Sequence, residues 1–152
     1  MSPEQYMSAH EGNLGGYLKI RFIAGERDLV TAEMRTTRHH LTLGGRVHGG
    51  AIMAFADAVA AYGTVINLPS PEHSTTTLES KTNFFAAGMG KRLRAEARPV
   101  HIGRSTMVWE TRIFGSESRC IALVVQTQMI LSPPLMADAI TKHSPKPRRI
   151  RR

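Results

Sequence analysis

The chain has 152 residues and a mass of 16.8 kDa, enough for one domain with a real core and too little for two. With 41% apolar and 21% charged residues it reads as neither a disordered chain nor a membrane bundle, and its single cysteine, Cys120, excludes an intrachain disulfide and a cysteine zinc cluster. The formal charge of +8 is uneven, because the segment KHSPKPRRIRR from Lys142 onward holds six of the 20 basic residues and no acid, leaving 14 bases against 12 acids in residues 1–141. A nearly neutral body with a solvated, basic tail and no basic stripe or aromatic stacking pattern excludes nucleic acid as the partner. Met1 to Gly12 is polar throughout, so no export leader is expected and the cytoplasm is the expected location.

In chain order, alternation in Tyr17–Ile23 (Leu18, Ile20, Phe22) and Leu29–Arg35 (Val30, Ala32, Met34) predicts two strands. The apolar run Ala51–Leu68 follows. Asp57 within it, with Gly63, Thr64 and Asn67 behind, argues for a buried helix and against a membrane span. At helical spacing Ile52, Phe55, Val59, Tyr62 and Ile66 form a bulky stripe, whereas the face around Asp57 carries Gly50, Met53, Ala54, Ala60, Ala61 and Thr64. The bulky stripe needs a sheet; the small face leaves room for another backbone or a ligand.

Beyond the helix the period changes to two. Thr77–Phe85 alternates weakly (Leu78, Phe84), and Arg92–Val100 cleanly (Leu93, Ala95, Ala97). Arg104–Phe114 aligns Met107, Trp109 and Ile113 after the turn His101-Ile102-Gly103, and Arg119–Leu131 aligns Ile121, Leu123, Val125, Met129 and Leu131 on one side. The order β-β-α-β-β-β-β predicts an α+β fold, one long helix wrapped by a curved antiparallel sheet of about six strands. The expected organisation is an N-terminal extension over 1–14, the domain over 15–135 and the basic tail over 136–152.

Chemistry concentrates at the helix start. His48-Gly49-Gly50 lies where the loop 37–47 enters the helix, and glycine there lets backbone amides approach a ligand. Unpaired amides with partial positive charge polarise a carbonyl and hold an oxyanion, which makes Gly49 the candidate donor; a bare turn glycine is the bland alternative. Asp57 is a carboxylate about two turns into an apolar helix, retained only with partners or a task, either across a subunit interface or in catalysis. His48 orients a ligand or fixes the turn.

The stretch Gly45-Arg46-Val47-His48-Gly49-Gly50, followed nine residues after the histidine by Asp57, resembles the hotdog-fold thioesterases of the phenylacetate-degradation (PaaI-like) type. Thr75-Thr76-Thr77-Leu78-Glu79 with Asn83-Phe84-Phe85 is similar to the strand after the helix in that family, and Val100-His101-Ile102-Gly103-Arg104 to its next hairpin, so the likeness spans about residues 15–131. It implies the hotdog fold and hydrolysis of an acyl-coenzyme A thioester, without cofactor or metal, in sites shared between subunits of a homodimer or homotetramer, with no membrane partner. It implies that Gly49 donates its amide to the thioester oxygen, that Asp57 of a partner chain acts as general base or nucleophile, that His48 orients the thioester or the loop, and that Thr77 places the water. Thr42, Gly50, His101, Gly103 and Arg104 become the substrate and coenzyme contacts.

One departure stands out: six residues before the histidine, where the family commonly has asparagine, this chain has Thr42, a hydroxyl without an amide donor. A non-catalytic acyl-CoA-binding sensor is the alternative reading, and Asp57 argues against it. A dehydratase would need a second acid or histidine two to five residues past Asp57, which the sequence lacks. Met53, Met89, Phe84 and Phe85 are candidates for an apolar acyl tunnel, for an aromatic or medium-chain group.

Overall fold

The computed structural model describes residues 1–9 and 11–132. Two short helices, α1 (Pro3–Ala9) and α2 (Leu14–Tyr17), precede strands β1 (Ile20–Gly25) and β2 (Val30–Arg35); a 3-10 turn at Arg38–His40 then leads to the long helix α3 (Gly49–Val65). Strands β3 (Ser74–Phe84), β4 (Arg92–Ile102), β5 (Thr106–Phe114) and β6 (Cys120–Leu131) complete the chain. The six strands form one antiparallel sheet in the order β1-β2-β4-β5-β6-β3, and α3 packs against every one of them. This is the wrap that the periodicities predict, the hotdog architecture. The expected domain end near 135 and the basic tail 136–152 lie outside the described residues, among which no helix is long and apolar enough to cross a membrane.

The bulky stripe does what its spacing requires. Ile52, Phe55, Val59 and Tyr62 are all buried against Val30, Ala32, Met34, Leu93, Ala95, Ala97, Met107, Trp109 and Ile113 from the inner sheet face. Ala32 pairs directly with Ala95, and Val30 with Ala97, so the middle strands present small side chains where the helix lies closest. Shifts of register in β1, β3, β4 and β6 mark bulges, which bend strands and let the sheet curl around the helix. One bulge lies between Thr77 and Glu79: it turns Thr75 and Thr77, and then Ser80 and Thr82, to the inner face, while Glu79 and Lys81 point out.

Asn67 ends the helix. Its Nδ2 donates to the Gly63 and Arg27 carbonyls, each at 2.9 Å, and its Oδ1 accepts from Arg27 Nε at 3.2 Å, so one buried side chain caps α3 and ties it to the β1–β2 turn.

Three expectations change. The aligned residues Leu123, Val125, Met129 and Leu131 of β6 share a face as expected, but it is the outer, half-buried one; the inner face carries Ala122, Val124, Gln126, Gln128 and Ile130. Leu78 and Phe84 of β3 are exposed and lie outside the core, because Leu78 occupies the bulge and Phe84 sits at the strand end. The segment before β1 holds two helices too short to show periodicity, of which α1 buries Tyr6 edge-on to Phe22 with centroids 5.3 Å apart and 4.6 Å from Tyr62.

Gly63 is where α3 passes nearest β5: a Cβ there would meet the Trp109 ring at 2.6 Å, and that ring is held by its Nε1 donating to Thr64 Oγ1 at 2.9 Å. Gly63→Ala is therefore expected to destabilise the fold by about 1–3 kcal/mol, overpacking outweighing the gain in helix propensity. Urea denaturation read by tryptophan fluorescence checks this.

Candidate active site

Asp57 is half-buried on α3, and its Oδ1 accepts two hydrogen bonds, from Thr77 Oγ1 of β3 at 2.7 Å and from Gln126 Nε2 of β6 at 3.1 Å. Thr77 in turn accepts from Gln128 Nε2 at 2.8 Å, and Gln128 Oε1 accepts from Thr75 Oγ1 at 2.8 Å. The glutamines are fully buried on the face of β6 that an apolar core would otherwise occupy. Together these donors fix one carboxylate oxygen; Oδ2 has no partner among the described residues. Thr77 therefore holds Asp57 directly, in addition to the water-placing role that the resemblance implies.

The second cluster lies at the start of α3. His48 is the N-cap residue, its Nδ1 accepting from the Gly50 amide at 2.9 Å, which fixes the neutral ring with its proton on Nε2. The carbonyl of His48 accepts from Ala51 and Ile52, and its own amide donates to the His40 carbonyl at 2.8 Å. The Gly49 amide is left without a hydrogen-bond partner among the described residues. Gly50, expected as a substrate contact, has its amide engaged by His48 and so offers no free donor. Thr42 closes the turn to Arg46, its amide donating to the Arg46 carbonyl at 2.7 Å, and borders an open groove with Gly49 and Phe84. A Cβ on Gly49 would stand 3.1 Å from the Phe84 ring, a crowding that glycine avoids.

The two clusters do not meet within one chain. Gly49 and Asp57 are eight residues apart on a continuous helix, a rise of about 12 Å. No single reacting carbonyl spans that distance.

The coenzyme candidates form the β4–β5 turn, where His101 and Arg104 are exposed and the Gly103 amide donates to the Thr106 carbonyl at 2.9 Å. A Cβ on Gly103 would sit 2.5 Å from His101 Nε2, so glycine lets the imidazole fold over the turn. By register, Ile102 pairs with Met107, Met107 with Gln128 and Gln128 with Thr77, which sets this turn at the Thr77 level of the sheet.

Met53, Met89, Phe84 and Phe85 are exposed in the single chain, Phe84 in the groove with Gly49. A cavity of about 240 Å³ with Asp57 in its lining is walled by α1, α2, β1 and the small face of α3. Burial pushes the Tyr6 phenol, also in that lining, up to about 12, and the Asp57 carboxylate and Tyr62 push the same way.

Residues 44–122 match the family model of the thioesterase superfamily. A thioesterase of Pseudomonas aeruginosa is 30% identical over 122 residues, covering 78% of this chain and 83% of its own. The crystal structure of a mutant of that thioesterase superposes with a TM-score of 0.82 at 25% identity, over 86% of this chain and 94% of the other. The 1,4-dihydroxy-2-naphthoyl-CoA hydrolase of Escherichia coli is 28% identical over 109 residues, 72% of this chain and 79% of that one. The Escherichia coli PaaI protein of the phenylacetic acid degradation operon shares the fold, with a TM-score of 0.76 at 20% identity over 86% of this chain and 91% of that one. The chain belongs to the thioesterase superfamily, in its hotdog fold, and is a hydrolase.

Thr77→Val removes the shorter donor to Asp57 and the acceptor of Gln128, and is expected to lower kcat by about 10- to 100-fold, the worth of a hydrogen bond to a charged group, with a smaller change in KM. Steady-state kinetics checks this. The Tyr6 phenol ionises near 10 when unfolded and about 12 when folded, so its share of stability is complete below pH 10 and is lost as pH rises through 12. Thermal melts across that window should fall less steeply for Tyr6→Phe.

Proposed function

We propose that the protein hydrolyses an acyl-CoA thioester with an aromatic or medium-chain acyl group, releasing the free acid and coenzyme A. The observation that carries this reading is the pair of chemically complementary groups on α3: among the described residues, a Gly49 amide without a partner and an Asp57 carboxylate held by one oxygen with the other open. The Gly49 N–H donates to the thioester oxygen and takes up the negative charge that develops there. Asp57 Oδ2 either draws a proton from the attacking water, after which the C–S bond breaks and that proton leaves with the coenzyme thiol, or attacks the carbonyl carbon itself, expelling coenzyme A as the thiolate and forming an aspartyl anhydride that water then hydrolyses to the free acid and the restored carboxylate. His48, with Nε2–H outward from its cap, orients the thioester, and the turn of His101, Gly103 and Arg104 meets the nucleotide end.

Because the two groups lie about 12 Å apart on one helix, each site takes Gly49 from one copy and Asp57 from another. The surface fits a second copy: β3 is an edge strand with one side unpaired, and Leu78, Phe84, Phe85 and Met53 are exposed. The protein is therefore a homodimer or a dimer of dimers. This reading rests on both lines of support, the split clusters and the acyl-CoA hydrolases among the relatives.

Asp57→Asn is expected to lower turnover on a good acyl-CoA by roughly 10²- to 10⁴-fold while keeping fold and assembly. Gly49→Pro removes the N–H at the first helical position, where the backbone accepts proline once the exposed Phe84 ring gives a few tenths of an ångström, and should cost about 10²- to 10³-fold. Mixed by refolding, the two inactive variants should recover about a quarter of wild-type activity, since half of the dimers then contain one intact site of two. No recovery from folded, mixed dimers would sink the shared site, and wild-type turnover by Asp57→Asn would sink the mechanism. A single turnover in heavy-oxygen water that labels Asp57 shows attack by the carboxylate with its anhydride opened at the aspartyl carbonyl, and trapping the acyl-enzyme with hydroxylamine detects the anhydride when water opens it at the acyl carbon and labels the acid alone.

A further inference from the structure

We propose that α1 is a selectivity element: with Tyr6 as its anchor and Met7 as its wall, it closes an acyl subsite beside Asp57 that takes a compact apolar acyl group and turns away long chains. The inference rests on the thioesterase reading above and adds what that reading leaves open, the acyl class.

The subsite is the cavity of about 240 Å³ beside Asp57. On its helix side stand Ala54, Asp57, Ala58 and Ala61, at positions i, i+3, i+4 and i+7 of one face, so each neighbour of the carboxylate is a methyl group where a larger side chain would fill the space. Leu18 and Phe22 close the β1 side, and Met7 of α1 with Leu14 of α2 closes the outer side. Asp57 is the one ionisable group in the lining besides the Tyr6 phenol, among the described residues. An acyl group whose carbonyl stands at Asp57 has this space directly beside it.

The outer wall is held through its aromatic anchor. α1 has seven residues, too short to persist as an isolated helix, and it stays in place through the packing of Tyr6 on Tyr62 and Phe22, with the Tyr62 hydroxyl donating to the Met1 carbonyl at 3.2 Å. The aromatic peg thus sets the position of the next residue, Met7, and with it the depth of the cavity.

Size then decides the ligand. A cavity of ~150 Å³ holds benzene, so this one holds roughly eight to ten carbon atoms, a single ring with a short linker or a medium chain. Each methylene that fits raises affinity about fourfold, and those that do not fit must displace α1. The lining offers little to pair with substituents, so a hydroxyl on the acyl group is expected to cost about 10- to 100-fold.

The test uses the full chain and a series of straight-chain acyl-CoA thioesters from butanoyl to hexadecanoyl, read as kcat/KM by thiol release. Wild type should rise to a maximum at octanoyl or decanoyl and fall at least tenfold by tetradecanoyl. Met7→Trp should move the maximum to shorter chains, and Tyr6→Ala, which frees α1, should raise the tetradecanoyl-to-octanoyl ratio at least tenfold. Circular dichroism and sedimentation show whether each variant is folded and assembled. If folded Met7→Trp and Tyr6→Ala keep the wild-type length profile, α1 is not the selectivity element, while the thioesterase reading stands. If wild type hydrolyses none of the series, nor phenylacetyl-CoA, that reading fails and this one with it. Should either variant not fold, Met7→Ala replaces it, with a maximum displaced to longer chains as the supporting result and an unmoved maximum as the opposing one.

Discussion

A carboxylate in the middle of an apolar helix is the constraint around which this molecule is built. Half-buried there, Asp57 loses part of its hydration and needs hydrogen-bond donors in its place. The chain supplies them from β3 and β6. Thr77 and Gln126 donate to one oxygen, and Gln128 with Thr75 holds Thr77 in line. The inner face of β6 turns polar at Gln126 and Gln128 where a core strand would be apolar, and β3 carries threonines and serine on its inner side. Two strands are thus composed to serve one charge.

The same helix separates the two groups of the proposed chemistry. Its first turn carries the Gly49 amide, without a partner among the described residues, its third turn the acid, and a continuous helix keeps them apart. On the proposed reading this separation would make the active unit larger than the folding unit and couple assembly to activity: a dissociated subunit would retain every catalytic group and no complete site. The capped His48 ring contributes to that rigidity, since the loop that presents Gly49 is pinned to the helix by the Gly50 amide and to the 3-10 turn through the His40 carbonyl.

Much of this was legible in the sequence, and the rest was hidden for physical reasons. The stripe Ile52, Phe55, Val59 and Tyr62 and the alternation Leu93, Ala95, Ala97 announce themselves because a bulky face and a pleated face have one way to be buried. Asp57 and Gly49 stand out because a charge and a backbone donor are anomalous where they occur. The orientation of β6 does not follow from its pattern: Leu123, Val125 and Met129 look like the core side, and the true inner face is disguised by Gln126 and Gln128, polar residues that serve Asp57 instead of solvent. Two glutamines two apart in an apolar strand were the available signal. The N-terminal helices carried none, since seven and four residues are too few for a period, and the acyl wall they supply is remote in sequence from the helix it faces. Met53, Phe84 and Met89 are exposed in the single chain, with the Phe84 ring lying against Gly49.

The bulge at Leu78 has a consequence for how this strand can vary over evolutionary time. With period two, the strand before the bulge and the strand after it follow different parities, and the single extra residue keeps Thr77 facing Asp57 and Glu79 and Lys81 facing water. Deleting that residue would exchange the two faces of everything downstream, turning Glu79, Lys81 and Asn83 against the helix, whereas almost any side chain at the exposed bulge position would leave the frame intact. Position 78 is free in identity and fixed in existence, so the strand tolerates substitution there and not a change of length.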